Sequence, residues 1–104
     1  MREPRYLETL GEMATLKNAV GGHFHQDADL EHSSYDGAWR AIAAEHRGED
    51  RSRLLSQFDQ LLDKSDSDVV EFWGRWAQWG VFASAADLRV HLERGKAIVT
   101  DHDA

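Results

Sequence analysis

Histidine and carboxylate side chains alternate through the segment His23-Phe24-His25-Gln26-Asp27-Ala28-Asp29. Imidazoles and carboxylates two residues apart can converge on zinc or another divalent cation. A metal site here would use His23, His25 and Asp27. His25 and Asp27 could also trade protons as general acid and base, but the segment offers no nucleophile, no third group at a fixed spacing and no defined pocket. His32, His46, His91 and His102 are scattered along the chain and are given no role.

The run resembles the H-x-H-x-D-H pattern of metallo-hydrolases, which makes a small metal-dependent hydrolase the alternative function. That pattern needs a further histidine where Ala28 stands and a longer α/β scaffold to bring in distant ligands. The favoured expectation is structural. Phe24 plugs a core, while His25, Gln26 and Asp27 cap neighbouring helix ends, because amides and carboxylates readily satisfy orphan backbone groups. Neither a metal, a cofactor nor a catalytic residue is expected.

Two further features point to binding. Val69, Val70, Phe72, Trp73, Trp76, Ala77 and Trp79 span about half the circumference of a helix at roughly 100° per residue, more than a surface helix needs to face its core. Burial of a central helix accounts for most of this arc; Phe72 and Trp79 at its edges are the residues expected at a partner surface. Between Lys17 and Arg40 there is no Lys or Arg, while Asp27, Asp29, Glu31 and Asp36 all fall there. Such a run is either a solvated loop or a docking site for a basic partner.

The elements that must position these residues read as helices. Tyr6, Leu7, Leu10, Met13, Leu16 and Val20 recur at helical spacing from Arg5, with Gly21-Gly22 as a stop. From His23 to Ser34 no period appears, so a structured loop with room for a short turn is expected. Ser33 or Ser34 then caps a second helix, with Tyr35, Ala38, Trp39, Ile42 and Ala43 on one face and Gly48 beyond its end. Leu54, Leu55, Phe58, Leu61 and Leu62 form the core-facing stripe of a third helix, capped by Asp50 or Ser52 and ending near Lys64. The aromatic arc is the fourth, terminated at Gly80. Ser84 and Asp87 form a capping box for a fifth, with Leu88, Leu92, Ile98 and Val99 on one side, Val90 off it, and a tail fraying from Thr100. No sustained strand alternation occurs. The expectation is all-α: about five helices in one small bundle-like or orthogonal domain over residues 1–104.

Composition narrows the function. A chain of 104 residues suffices for one core, with roughly 65% of its extended surface buried on folding. Cysteine is absent, which removes disulfides, thiolate metal sites and cysteine nucleophiles. With no apolar run of signal-peptide or membrane-spanning length, neither export nor a membrane partner is expected, and the cytoplasm is the expected location. The formal net charge of -7 opposes phosphate backbones, so nucleic acid is not an expected partner. The same field draws a basic protein.

Gly21-Gly22-His23-Phe24-His25-Gln26-Asp27 resembles the aromatic-Phe-His-Gln-Asp signature of contact-dependent growth inhibition immunity proteins. The resemblance extends to Phe58-Asp59-Gln60-Leu61-Leu62, similar to a paired-leucine helix ending, and to Trp79-Gly80, similar to a glycine-containing turn before the last helix. It covers roughly Leu7 to Leu92 and departs at His23, Ala28 and Asp87, where the family often has aromatic residues. It implies an immunity protein that binds the toxic C-terminal domain of a surface adhesin, often a nuclease. In such a family a shared signature holds the fold and surrounding residues choose the toxin. The candidates for toxin contact are then Asp27, Asp29, Glu31, Asp36, Phe72 and Trp79.

Overall fold

The computed structural model describes residues 12–102. Among these residues there are six helices and no strand: α1 (Ala14–His23), α2 (Ala28–Glu31), α3 (Tyr35–Glu45), α4 (Glu49–Leu62), α5 (Asp66–Trp76) and α6 (Ala85–Asp101). The all-α expectation holds, with one added turn, α2, inside the segment read as a loop. The Arg5–Gly11 part of the first expected helix lies outside the described residues.

Serine caps set three of the helix starts. The Oγ atoms of Ser34, Ser65 and Ser84 accept from the backbone N–H of Gly37, Asp68 and Asp87, at 3.0, 3.2 and 3.1 Å. α4 starts differently: neither Asp50 nor Ser52 caps it. Gly48 takes that place at φ 57 without a side-chain bond, and Asp50 pairs instead with Arg53. Glu49 and Asp50 in the first turn still answer the positive end of the helix dipole. At the start of α1 the free N–H of Leu16 donates to Oε1 of Gln57 from α4, at 2.8 Å.

Tertiary packing moves three helix ends away from where local signals place them. α1 runs through Gly21-Gly22 to His23, and the N–H of Phe24 still reaches Val20 O at 2.8 Å. Burial of Val20 and Phe24 outweighs a helix-propensity cost of about 1 kcal/mol per glycine. α5 stops at Trp76, short of Gly80, because Ala77 turns extended and the N–H of Gln78 donates to Phe24 O. α6 continues through Thr100 and Asp101, where fraying was expected, and the Thr100 hydroxyl donates back to Lys96 O.

α1 and α6 each pack against α3, α4 and α5, and the core lies between them. From α4 the fully buried side chains are Leu54, Phe58 and Leu61; Leu55 and Leu62, expected in the same stripe, are half-buried at its margin. From α6 Leu92 and Val99 are fully buried and Leu88 nearly so, with Ile98 partly covered and Val90 68% exposed. Two arginines tie helix ends together. Arg51 donates to Ala43 O, His46 O and His102 O, satisfying carbonyls at the end of α3. Arg89 donates to Leu62 O, Lys64 O and the Asp66 carboxylate, bridging α6 to the α4–α5 turn. No helix among the described residues is long and apolar enough to cross a membrane.

Candidate functional site

Phe24 anchors the signature loop. Its side chain is fully buried, with the rings of Trp39, Trp73, Trp79 and His91 at centroid distances of 4.9, 5.0, 5.7 and 5.7 Å. The core-plug expectation is met. Its backbone carbonyl also receives Gln78, so the loop after α1 and the loop after α5 are joined at this residue.

The histidines on either side of Phe24 engage different partners. His23 Nε2 lies 2.9 Å from Glu45 Oε1, and its Nδ1 lies 3.2 Å from His32 Nε2. His25 Nδ1 accepts the N–H of Asp27 at 3.1 Å, which leaves its protonated Nε2 to donate to Glu31 at 3.3 Å. His23, His25 and Asp27 therefore do not form a shared ligand set, and no cluster of three metal-binding side chains occurs among the described residues. The hydrolase reading finds no support here. Capping is also narrower than expected: Asp27 occupies the N-cap position of α2 but makes no side-chain cap bond, and Gln26 is exposed. Only His25 fixes the turn through a side chain.

The acidic candidates separate into two settings. Asp29 and Glu31 lie on α2 and are exposed, and Leu30 between them is 81% exposed. Asp36 is different. Its two carboxylate oxygens accept from Arg94 Nε and a terminal guanidinium nitrogen, at 2.8 and 2.6 Å. That bond holds its carboxyl below the usual range. The acidic run is thus compensated at one of its four positions, by a residue 58 places away in the sequence.

The aromatic candidates are less available than their spacing suggests. Phe72 is 6% exposed, because the packed arc of α5 centres on Val69, Phe72 and Trp73. Its expected place at a partner surface is corrected accordingly. Trp79 is not helical and folds back to meet Tyr35 edge-on at 4.7 Å. It remains half-buried, beside a turn in which Trp73 Nε1 donates to Gly80 O and Val81 is 94% exposed.

Leu30 and Val81 are the exposed apolar residues that the sequence reading passed over. Leu30 carried a signal, as a lone leucine inside an acidic run; Val81 carried none beyond its place after Gly80. His91 was also missed: it is buried among the rings of Phe24, Tyr35, Trp39, Trp73 and Phe82.

A buried aromatic core holds the signature loop and a short acidic helix at the surface of a small helical protein. A family model described as CdiI immunity protein matches residues 12–78. The match covers more than half of the chain and includes the signature loop, α2 and the Gln78 contact. The chain belongs to the CdiI immunity protein family, whose role is to neutralise a toxin. No curated protein and no solved structure matches it.

Proposed function

We propose that this protein neutralises a basic toxin domain, a nuclease carried at the C-terminal end of a surface adhesin, by binding it in the cytoplasm rather than by chemistry. The observation that carries this reading is the presentation of Leu30 between Asp29 and Glu31 on α2, next to a loop fixed by Phe24. An exposed apolar anchor inside a rim of like charge suits a cationic partner: the charges accelerate encounter and the anchor slows release. The net charge of -7 extends the same attraction beyond contact distance. Family membership supports a toxin as the partner, and the acidic surface supports a basic one such as a nuclease.

Co-expression with the toxin domain encoded beside it, followed by purification of one partner, tests the proposal. Wild-type protein co-purifies with the toxin domain and preserves the host cells. A variant carrying Asp29→Asn, Leu30→Ala and Glu31→Gln keeps its helical circular dichroism and loses both properties. Undiminished co-purification of the variant would place the contact elsewhere.

A further inference from the structure

The turn between α5 and α6 carries no charge. From Trp76 to Ala86 there is no Asp, Glu, Lys, Arg or His, the longest such stretch in a sequence that is 30% charged. Val81 stands at its apex, 94% exposed. Beside it Trp79 and Phe82 are half-buried, and so is Tyr35 from the start of α3, whose ring meets theirs at 4.7 and 5.9 Å. Among the described residues neither the Trp79 indole N–H nor the Tyr35 hydroxyl bonds to a protein group, and neither is a buried orphan, so both polar tips reach the surface.

This surface is held in place. Trp73 Nε1 donates to Gly80 O at 3.0 Å, and Gly80 adopts φ 108, where a Cβ would lie 3.2 Å from both Phe82 and Trp73. The backbone that carries Val81 is thereby pinned to the buried Trp73, while Gln78 is pinned to Phe24. An apolar residue exposed on a fixed turn loses little further freedom on binding. A patch rich in aromatic side chains and poor in charge has the make-up of an interface centre, not of a rim.

α2 supplies a rim but cannot supply the whole contact. It exposes Asp29, Leu30 and Glu31, whereas a stable protein interface takes about 800 Å² and roughly 20–30 residues from each side. Tyr35 follows Glu31 by four positions, at most about 14 Å of chain, so the turn and α2 fall inside one footprint of that size. We infer that the turn Trp79-Gly80-Val81-Phe82, with Tyr35, is the charge-free centre of the toxin contact. Val81 enters an apolar hollow on the toxin domain, Trp79 and Tyr35 lie against its wall, and their polar tips bond to toxin backbone. α2 is the acidic rim. The inference rests on the immunity reading above and adds to it: charge brings the partners together, and the apolar centre sets how long they stay. A second copy of the chain is the poorer occupant, because two molecules of net charge -7 repel and the turn holds nothing to offset that. A basic partner is drawn to the same surface.

Val81→Asp separates apolar contact from attraction. The new carboxylate adds to the pull on a basic domain, so a loss of affinity must come from burying it in an apolar contact. Val90→Asp, on α6 outside the turn and 68% exposed in the wild type, makes the same change of charge and is the control. Calorimetry with the toxin domain encoded beside the protein measures affinity, and stopped-flow mixing measures release. Val81→Asp weakens binding about tenfold or more, through faster release, while Val90→Asp binds as the wild type does. Both side chains are exposed, so both variants keep the fold, which circular dichroism checks. Wild-type affinity in Val81→Asp, or equal losses in the two variants, would overturn the inference and leave the immunity reading standing. Sedimentation of the protein alone gives a monomer; a dimer that Val81→Asp dissociates would also overturn it, by assigning the turn to a second copy. If the toxin domain does not bind the wild type, the immunity reading fails and the inference falls with it.

Discussion

The indole N–H of Trp39 on α3 donates to Nε2 of His91 on α6 across 3.3 Å, and both side chains are buried. An Nε2 that accepts is unprotonated, so the neutral imidazole carries its proton on Nδ1. Burial among the surrounding rings pushes His91 down to about 4, against a weaker upward pull from Asp36. Protonation would remove the acceptor and place a charge among aromatic rings.

Stability should therefore depend on pH through this residue. In the unfolded chain the imidazole returns to 6.5, so between that value and about 4 the unfolded state binds the extra proton. The contribution is present in full above about pH 6.5 and is lost as pH falls toward 4; it amounts to about 3 kcal/mol for a shift of this size. Urea denaturation of the wild type and His91→Phe across that range reads it as a difference in slope, whatever the variant's absolute stability. Parallel slopes would mean that another group titrates.

Gly95 of α6 packs against Trp39 of α3, and a Cβ there would lie 2.6 Å from Cε2 of Trp39. Alanine is the better helix former by about 1 kcal/mol, but overpacking a core costs about 1–3 kcal/mol. Trp39 is fully buried and has nowhere to swing, so the steric term wins. Gly95→Ala lowers the melting temperature. A raised one would show that the helices separate at little cost.

Local signals in the sequence sufficed where the cause of a structure is itself local. Ser34 and Ser84 start helices through bonds three residues long, and the apolar period marks α3, α4 and α6. Errors arose where a distant residue decides. Trp79 continues the aromatic spacing of α5, yet the bond from Gln78 to Phe24 ends that helix at Trp76. Asp36 reads as an uncompensated charge until Arg94 arrives from α6, and nothing near His91 in sequence marks it as the centre of a ring cluster built from separate segments. Of the candidate site, the Phe24 plug and the acidic segment were legible, whereas the bond from Gln78 that joins the loops after α1 and α5 depends on how those helices meet.

The signature residues should divide by role in stability. Phe24→Ala empties a site enclosed by five rings and should cost about 3–5 kcal/mol. Asp27→Ala should stay within about 0.5 kcal/mol, because its carboxylate makes no cap bond on α2. Chemical denaturation of both variants measures the contrast. A loss above about 1 kcal/mol in Asp27→Ala would show that the carboxylate caps the turn after all.

Charge and anchor on α2 should separate kinetically. Neutralising Asp29 and Glu31 together slows association with the toxin domain and flattens its salt dependence, because exposed rim charges act mainly on encounter. Leu30→Ala leaves association nearly unchanged and speeds release, because removal of an apolar anchor is felt after contact. Asp36 is left intact, since its charge is engaged by Arg94 and its loss would disturb the α3–α6 contact. Asp27 is also left intact, so that its part in the loop is not mixed with docking. Stopped-flow mixing at several ionic strengths resolves the two rates. If neither rate changes in either variant, α2 is not the docking face, and the turn bearing Val81 beside Trp79 becomes the surface to vary.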